Sequence, residues 1–431
     1  MQTSNSKDTP DVDYDLVIVG GGMVGSAIAC GLAHSGLKIA VLEQHQPMAF
    51  SASQLPDLRV SALSVASEQF LTRIGAWKHI QAMRLCPYRR MSVWEQHRNP
   101  LLSLLPPQLQ CTAFDSKDIG HSHLGHIIEN RITQLALLER AADFPNVTLI
   151  TPATLQNLEL APNKAKLQIV DHQGASSTLS TKLVIGADGA QSRVRTWANI
   201  GLNSDQYGQQ ALVINVEYQG QQEDITWQAF TPSGPRAFLP LMDVDGKHYA
   251  SLVWYDSPET IQHLQGLDAA MLKEEIARQF PATLPPLVQV LGKGSFSLVK
   301  RHAQRYVSPR VALVGDAAHT INPLAGQGVN LGFQDAIRLI ETLENALRKG
   351  EDIGHLSALR PYEKTRRREN QFMMAVMDLF YHTFSNTSLP LQFLRNAGLG
   401  VANQLPLGKR KVMRYAMGLE PALPLPFHKP R

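Results

Sequence analysis

The first 43 residues carry a hydrophobic pattern that changes its period twice. A short apolar run from Asp15 to Val19 leads into a cluster of glycines, and small apolar residues then follow helical spacing from about Val24 to Ser35. A second apolar run from Lys38 to Leu42 ends at Glu43. The pattern predicts a strand, a tight glycine turn, a helix and a second strand, which together form a βαβ unit.

The same two periods recur in separate blocks further along the chain. Helical spacing predicts helices over Ser61–Ile74, Arg131–Ala141, Ala269–Gln279 and Leu331–Leu347, and over most of the tail, with an apolar stripe from Leu389 to Leu405. Alternating or continuous apolar runs predict strands within Pro145–Val184, Gln210–Val299 and Val311–Val314. Because β segments dominate from Gln210 to Val299, we expect this block to form a second, β-rich domain inside an α/β fold.

Composition and charge exclude several classes of protein. The 431 residues are 44% hydrophobic and 18% charged, as in ordinary globular proteins, and the basic excess lies in residues 351–431, with 12 Lys/Arg against 6 Asp/Glu. Because aromatic residues do not interleave with these charges, we expect no nucleic-acid binding. The uncharged stretch Leu16–Ala33 contains five glycines, so a packed strand and helix explain it better than a membrane span.

The cysteines and the N-terminus bear on the compartment. Cys30, Cys86 and Cys111 are odd in number and show no metal-ligand spacing, so we expect neither a disulfide framework nor a bound metal. The first 15 residues hold four Asp and a single Lys, which is the wrong sign for a secretory signal. A cytoplasmic protein is therefore expected, with attachment to the inner membrane surface as an alternative.

The glycine turn has the spacing of a dinucleotide-binding motif. Gly20, Gly22 and Gly25 satisfy GxGxxG between a predicted strand and helix, and Glu43 closes the next strand. The glycines allow a tight turn, a close approach to pyrophosphate and close helix packing, while the helix N-terminus stabilises phosphate charge. An acidic Glu43 accepts a hydrogen bond from a ribose 2′-hydroxyl and repels a 2′-phosphate, which favours FAD or NAD over NADP.

Two further segments point to FAD. Gly186–Arg195 reads GADGAQSRVR, and Val314–Gly332 reads VGDAAHTINPLAGQGVNLG. If Val311–Val314 is a strand, Asp316 follows its carboxyl end, where ligands of such sheets bind, and its carboxylate can accept from a ribityl hydroxyl. Together with GxGxxG, these segments resemble the motifs of the single-component FAD-dependent aromatic hydroxylases, the family typified by para-hydroxybenzoate hydroxylase.

The resemblance implies roles for further residues around a non-covalently bound FAD. It places Asp188 and Arg195 against FAD and a visiting NAD(P)H, Arg59 near the flavin, and Asn130 where relatives carry a flavin-contacting arginine. It also places a loop and helix start beside the flavin ring, with backbone donors that stabilise reduced flavin, at Pro323, Gly326, Gln327, Gly328, Val329 and Asn330. His319 is either a residue near the ring or a hydrogen-bonded structural histidine.

Within the family, the chain is most similar to the bacterial hydroxylases of ubiquinone biosynthesis. The stretches IVGGGMVG, DLRVSALS, HLGHIIEN and RAFLPL carry this resemblance, and AWKHIQAMRLCPYRRMSVWE and MDLFYHTFSN most resemble enzymes that hydroxylate 2-polyprenyl-3-methyl-6-methoxy-1,4-benzoquinol. The implied mechanism uses NAD(P)H, O₂ and a flavin C4a-hydroperoxide. Aromatic and neighbouring residues of the β-rich block are expected to line the substrate pocket, or to be core: Trp227, Phe230, Arg236, Phe238 and Pro240.

The resemblance completes the expected organisation and leaves alternatives open. We expect a Rossmann-like FAD-binding domain over residues 13–85, 121–200 and 301–350, an inserted β-rich substrate domain over 86–120 and 201–300, and a helical C-terminal region over 351–431. The other functions considered are a different ring hydroxylase of the pathway, an epoxidase or reductase, and a non-catalytic FAD-binding assembly protein; the halogenase motif WxWxIP is absent. A polyprenyl quinol would reach the enzyme through contact with a membrane or with pathway proteins, and homo-oligomerisation stays open.

Overall fold

A computed structural model describes residues 11–95, 111–321, 328–384, 414 and 417–419, with the backbone alone for residues 380–384. The strands are β1 Tyr14–Val19, β2 Ile39–Leu42, β3 Val60–Ser64, β4 Cys86–Tyr88, β5 Arg90–Glu95, β6 Cys111–Asp115, β7 Gly125–Glu129, β8 Val147–Ile150, β9 Ala153–Leu160, β10 Ala165–Asp171, β11 Ser176–Gly186, β12 Leu202–Tyr218, β13 Ile225–Phe230, β14 Arg236–Val244, β15 Lys247–Asp256, β16 Leu287–Ala303, β17 Val307–Ser308, β18 Val311–Leu313 and β19 His319–Thr320. The α-helices are α1 Met23–Leu32, α2 Val65–Arg73, α3 Trp77–Met83, α4 Asn130–Ala142, α5 Arg193–Trp197, α6 Pro258–Gly266, α7 Ala269–Gln279, α8 Gly328–Arg348 and α9 Leu356–Phe384.

The first sheet is built around a parallel core. Its order is β17-β18-β11-β1-β2-β8, with β10 and β9 added antiparallel at β11. The central strand β1 pairs in parallel with both β2 and β11, and Leu16, Val17 and Ile18 are fully buried. Strands buried on both faces explain why these segments read as continuous apolar runs. The carboxyl ends of β1, β11 and β18 therefore meet at one edge of the sheet.

The second sheet has eight strands and two unlike faces. Its order is β19-β16-β12-β15-β14-β13-β5-β6. Along β12, Leu212, Ile214 and Val216 pack into a cluster that includes residues of α6 and α7. Asn215 points to the opposite face, where its amide donates to the carbonyls of Pro56 and Asp57 at 2.9 and 3.0 Å. One face is therefore covered by helices, and the other meets the segment that leads to Arg59.

A small three-stranded sheet, β3-β7-β4, joins the two larger ones. Residues from β4 and β7, including Tyr88 and Ile127, share a buried cluster with Leu241 and Tyr249 of the second sheet. The far C-terminal residues contribute as well, because Met417 belongs to this cluster and accepts a hydrogen bond from the backbone N–H of Ala66 at 3.1 Å. This packing fixes the junction between β3 and α2, because both the three-stranded sheet and Met417 contact it.

The predicted α/β class is confirmed and most predicted elements are present, but one helix begins later than predicted and another was not predicted. The helix expected over Ser61–Ile74 begins only at Val65, because the preceding residues pair as β3 with β7. Ser64 ends that strand and caps the helix, since its hydroxyl accepts from the N–H of Ser67. Helix α6 was not predicted, although Ser257 followed by Pro258 is a typical helix start. The proposed domain boundaries stay a prediction.

Most of the described part of the tail is helical, whereas residues 417 and 418 form a turn. Helix α9 runs to Phe384, whereas the apolar stripe from Leu389 to Leu405 and the basic run Lys409–Lys411 lie outside the described residues. Among the helices that are described, none has the length and apolarity needed to cross a bilayer.

Candidate active site

The glycine turn after β1 leaves open space at one position only of its motif. A Cβ on Gly20, whose φ is +107°, would lie 2.3 Å from the carbonyl oxygen of Ala187, and one on Gly25 would lie 2.0 Å from that of Gly20. A Cβ on Gly22 would meet nothing within 4 Å. Gly22 also precedes α1 without any side-chain cap, so the first N–H groups of that helix face this space. An anionic pyrophosphate fits this arrangement.

Glu43 lies directly beside this turn. A Cβ on Gly21 would lie 2.8 Å from the Cβ of Glu43, and one carboxylate oxygen of Glu43 accepts from the N–H of His45 at 3.0 Å. Hydrogen bonds to its backbone hold the turn in place. The amide of Gln134 and the hydroxyl of Ser26 donate to the carbonyl of Gly21 at 2.9 and 3.0 Å. The half-buried carboxylate therefore lies beside the turn, and its contact with a ribose hydroxyl stays a prediction.

Asp188 and Arg195 have structural partners. The Oδ2 of Asp188 accepts from the N–H groups of Arg193 and Val194 at 2.8 and 3.1 Å and so holds the start of α5, whereas its buried Oδ1 has no partner among the described residues. The guanidinium of Arg195 donates to the carbonyls of Ala317 and Ala190 at 2.9 and 3.1 Å. Arg195 thus ties two motif loops together, while Asp188 keeps one oxygen for a ligand.

Asp316 follows the carboxyl end of β18, in a short 3₁₀ turn over Gly315–Ala317. Its side chain is exposed, yet the surrounding protein raises the pKa of its carboxyl group through loss of hydration. The charges of His319, Arg59 and Arg301 act in the opposite direction and lower this pKa. The exposed Arg59 therefore lies near enough to Asp316 for the two charges to interact.

His319 belongs to a buried network centred on Asp335. Oδ2 of Asp335 accepts from the backbone N–H of Gly315 at 3.0 Å and contacts Nε2 of His319 at 2.5 Å. Its Oδ1 accepts from Arg366 at 2.7 Å and from Asn370 at 3.1 Å. Burial alone would raise the pKa of Asp335, but His319 and Arg366 hold it well below its usual range. His319 is 2% exposed, which favours the hydrogen-bonded structural histidine of the two alternatives.

Sequence analysis missed Asp335, although the pattern contains a signal for it. Leu331, Asp335 and Leu339 follow one another at intervals of four residues, so an acid interrupts the apolar stripe of α8. A carboxylate on a buried helix face requires donors from other elements. Its partners Arg366 and Asn370 lie on α9, far away in sequence, and no local pattern pairs them with it.

The start of α8 is fixed by a second buried polar residue. The Asn330 side chain accepts from the N–H of Ser64 and the hydroxyl of Ser67 at 3.0 and 2.7 Å, and donates to the carbonyl of Ala62 at 2.8 Å. Because these bonds engage its amide, any contact of Asn330 with a cofactor would come from its backbone. Helix α8 begins at Gly328, as predicted, and Val329 is half-buried. Pro323, Gly326 and Gln327 lie outside the described residues.

Asn130 and Arg59 are neighbours. The backbone N–H of Asn130 donates to the carbonyl of Arg59 at 2.9 Å, and its side-chain oxygen accepts from Ser61 at 2.7 Å. The adjacent Arg131 forms a two-point ion pair with Asp57, at 2.8 and 2.9 Å. These contacts position the segment that carries Arg59. Direct contact of Asn130 or Arg59 with a flavin stays a prediction.

Four of the five predicted substrate residues lie on the helix-covered face of the second sheet. Trp227 stacks on Phe238 with ring centres 5.6 Å apart, and Arg236 pairs with Asp256 at 2.9 Å while lying over the ring of Trp254. Pro240 shares this face by alternation. These residues are core, the alternative that the sequence left open, although Trp227 and Phe238 also border a cavity of about 390 Å³.

Phe230 lies on the opposite face. Because Trp227 and Ala229 point towards the helices, alternation along β13 turns Phe230 towards the side that carries Asn215. It is 8% exposed. Of the five residues, Phe230 therefore remains the one on the face that meets the Arg59 segment.

Comparison with known proteins agrees with this geometry. The model of the FAD binding domain family matches residues 13–376. The chain is 44% identical to the 3-demethoxyubiquinol 3-hydroxylase of Escherichia coli K12, over 94% of this chain and 98% of the relative, and 36% identical to the mitochondrial ubiquinone biosynthesis monooxygenase COQ6 of Mus musculus, over 94% and 91%. The crystal structure of p-nitrophenol 4-monooxygenase from Pseudomonas putida DLL-E4 has the same fold, with a TM-score of 0.76 over 95% of this chain and 98% of that one, at 18% identity.

The fold, the glycine turn and the aspartate loops define a flavin-dependent monooxygenase. The chain belongs to the FAD binding domain family and, within it, to the hydroxylases of ubiquinone biosynthesis. The residues present fit FAD, since there is open space beside Gly22 for a pyrophosphate and the buried Oδ1 of Asp188 has no partner among the described residues.

Gly22 provides a direct test of the pyrophosphate position. Gly22→Ala should leave the stability of the FAD-free protein nearly unchanged, because the added methyl group meets no protein atom. It should weaken FAD binding by about tenfold or more, equivalent to at least ~1.4 kcal/mol, because the methyl group blocks the approach of the phosphates. Gly266→Ala, which also points into open space but lies at the end of α6, is the matched control. Equal FAD affinity in both variants, measured by flavin fluorescence, would contradict the assignment.

Substitution of His319 distinguishes a structural role of this histidine from a catalytic one. His319→Gln should lower the unfolding free energy and the FAD content of the purified protein, because it disturbs the hydrogen bonds of a buried charge. Turnover per bound flavin should stay within a few fold. A general acid or base would instead lose about 10²–10⁴ in rate with stability intact, and that result in urea unfolding and steady-state assays would show that His319 acts in the chemistry.

Proposed function

We propose that this protein hydroxylates the ring of a polyprenyl benzoquinol in ubiquinone biosynthesis, with 2-polyprenyl-3-methyl-6-methoxy-1,4-benzoquinol as the substrate. The observation that carries the proposal is the 44% identity with 3-demethoxyubiquinol 3-hydroxylase, which extends over nearly the full length of both chains. The balanced reaction takes the quinol, O₂, NAD(P)H and a proton to the hydroxylated quinol, NAD(P)⁺ and water.

When bound, FAD supplies the electron transfer from NAD(P)H and the activation of O₂. The chain's own residues bind and orient the cofactor and the quinol. The N-terminus of α1 beside Gly22 would hold the pyrophosphate, and Glu43 and Asp316 would accept hydrogen bonds from hydroxyl groups of the cofactor. The N-terminus of α8 would supply backbone donors that favour negative charge on the flavin ring.

The electron-rich quinol ring requires no protein nucleophile. What the protein must provide is a site that excludes bulk water and presents one ring carbon to the flavin. The face of the second sheet that carries Asn215 and Phe230 is the one that meets the Arg59 segment, and it therefore supports a ring site on that side. The Trp227 and Phe238 side packs against helices.

A second candidate is another ring hydroxylation of the same pathway. It is favoured by the similarity to the monooxygenase of Mus musculus and by 34% identity with the ubiquinone hydroxylase of Rhodospirillum rubrum, over 94% of this chain and 89% of that relative. A non-catalytic FAD-binding assembly protein would keep the glycine turn as well. These alternatives differ in which quinol is consumed and in whether any product forms.

The decisive experiment supplies FAD-loaded protein with NADPH or NADH, ¹⁸O₂ and short-chain quinols that differ in one ring substituent. The proposed substrate should give a product that carries one ¹⁸O atom, in proportion to the NAD(P)H consumed. The already hydroxylated quinol is the control and should give none. Oxidation of NAD(P)H without ring oxygenation, or preference for a ring that lacks the methyl or methoxy group, would overturn the assignment; the second result would favour another step of the pathway.

A further inference from the structure

Two histidines and a glutamate meet beside the three-stranded sheet, in residues outside the glycine and aspartate motifs. Glu68 lies in the first turn of α2, His123 in the segment before β7, and His126 within β7. One ligand atom from each residue, a carboxylate oxygen of Glu68 and a ring nitrogen of each histidine, lies within 4.8 Å of the other two. The cluster is assembled from three elements, so the spacing of residues in the sequence did not reveal it.

The distances are close to those around a bound cation. Oε2 of Glu68 lies 2.6 Å from Nε2 of His123 and 3.4 Å from Nδ1 of His126. Oxygen and nitrogen ligands of tetrahedral zinc lie about 2.0–2.2 Å from the metal, which separates them from each other by about 3.3–3.6 Å. The pair of Glu68 and His126 already has this spacing. The pair of Glu68 and His123 would need to open by about 1 Å or less, as the metal replaces the shared hydrogen.

His126 supplies the independent evidence for a ligand. Its side chain is only 7% exposed, and its Nδ1 has no hydrogen-bond partner among the described residues, although it points towards Glu68. Buried polar atoms are nearly always satisfied, so such an atom requires an explanation. The residue is held firmly, because β7 pairs at this position with Leu63 on one side and Pro87 on the other, and the ring of Trp77 packs edge-on against the imidazole.

His123 and Glu68 complete the geometry from the solvent side. Nδ1 of His123 lies 2.8 Å from the hydroxyl of Ser122, an outer contact of the kind that orients metal-binding imidazoles and leaves Nε2 directed at the centre of the cluster. The side chains of His123 and Glu68 are 19% and 21% exposed, which provides an entry path and room for a water ligand.

We infer that Glu68, His123 and His126 bind a zinc-type divalent cation, with water as a fourth ligand. Two imidazoles and one carboxylate suit zinc and its transition-metal neighbours, whereas magnesium and calcium require oxygen ligands. The ion clasps α2 to β7 and so stabilises the junction between the sheets. Because a ligand that binds only the folded state stabilises it, zinc raises the thermal midpoint of unfolding.

The test uses full-length, FAD-loaded protein from which metals have been removed with a chelator. Zinc is titrated by calorimetry, and thermal unfolding is followed with and without zinc. Wild type should bind one zinc ion at this site. Glu68→Gln and His123→Asn should each bind zinc at least about tenfold more weakly, because even the removal of a residue that only orients a metal ligand typically weakens binding by that factor. Ser122→Ala should show a smaller loss in the same direction.

Two controls keep the inference falsifiable. His79→Asn removes a histidine whose Nδ1 pairs with Glu139 at 3.2 Å but which, within the described part of the chain, belongs to no group of three possible ligands; this variant should bind zinc like wild type. Circular dichroism without zinc tests whether each variant is folded. Because the side chains of Glu68 and His123 are partly exposed, we expect both variants to fold. Absence of binding in folded wild type would overturn the inference. So would equal zinc affinity and an equal rise in thermal midpoint in wild type and Glu68→Gln.

Discussion

The carboxylate of Asp335 holds together the turn that carries Asp316, strand β19 and the helices α8 and α9. It is fully buried on α8 and is surrounded by hydrogen-bond donors from the Gly315 turn, from β19 and from α9. A buried charge is costly unless it is paired and hydrogen-bonded, and removal of one partner from such a pair typically destabilises a protein by about 3–5 kcal/mol. The position of the Asp316 loop is thus tied to the position of two helices.

This constraint extends across both large sheets. Tyr362 of α9 donates to the carbonyl of Leu313 at 2.7 Å, Arg195 donates to the carbonyl of Ala317, and β19 pairs through His319 with β16 of the second sheet. The segment from Leu313 to His319 is therefore bonded to α5, to the second sheet and to α9, and its position is fixed from three directions.

Local features were predictable from the sequence, whereas features set by distant partners were not. The glycine turn, α1 and Glu43 follow from spacing within 25 residues, and the structure places them as that spacing requires. The Ser61–Ser64 segment has helical spacing, but its pairing with β7 overrides it. The sequence of β14 does not show which of its two faces other elements cover. In the structure, α6 and α7 cover the face that carries Phe238, so this side chain belongs to the core.

The most direct test of this account measures FAD affinity and urea unfolding of Asp335→Asn. An amide of the same shape removes the charge that Arg366 and His319 surround, so we predict a loss of about 3–5 kcal/mol in unfolding free energy and weaker FAD binding. If this variant does not fold, the double variant Asp335→Leu with Arg366→Met removes the buried charge pair and should recover folding but not the FAD affinity of wild type. Wild-type stability and wild-type FAD affinity in Asp335→Asn would contradict the central role of this carboxylate.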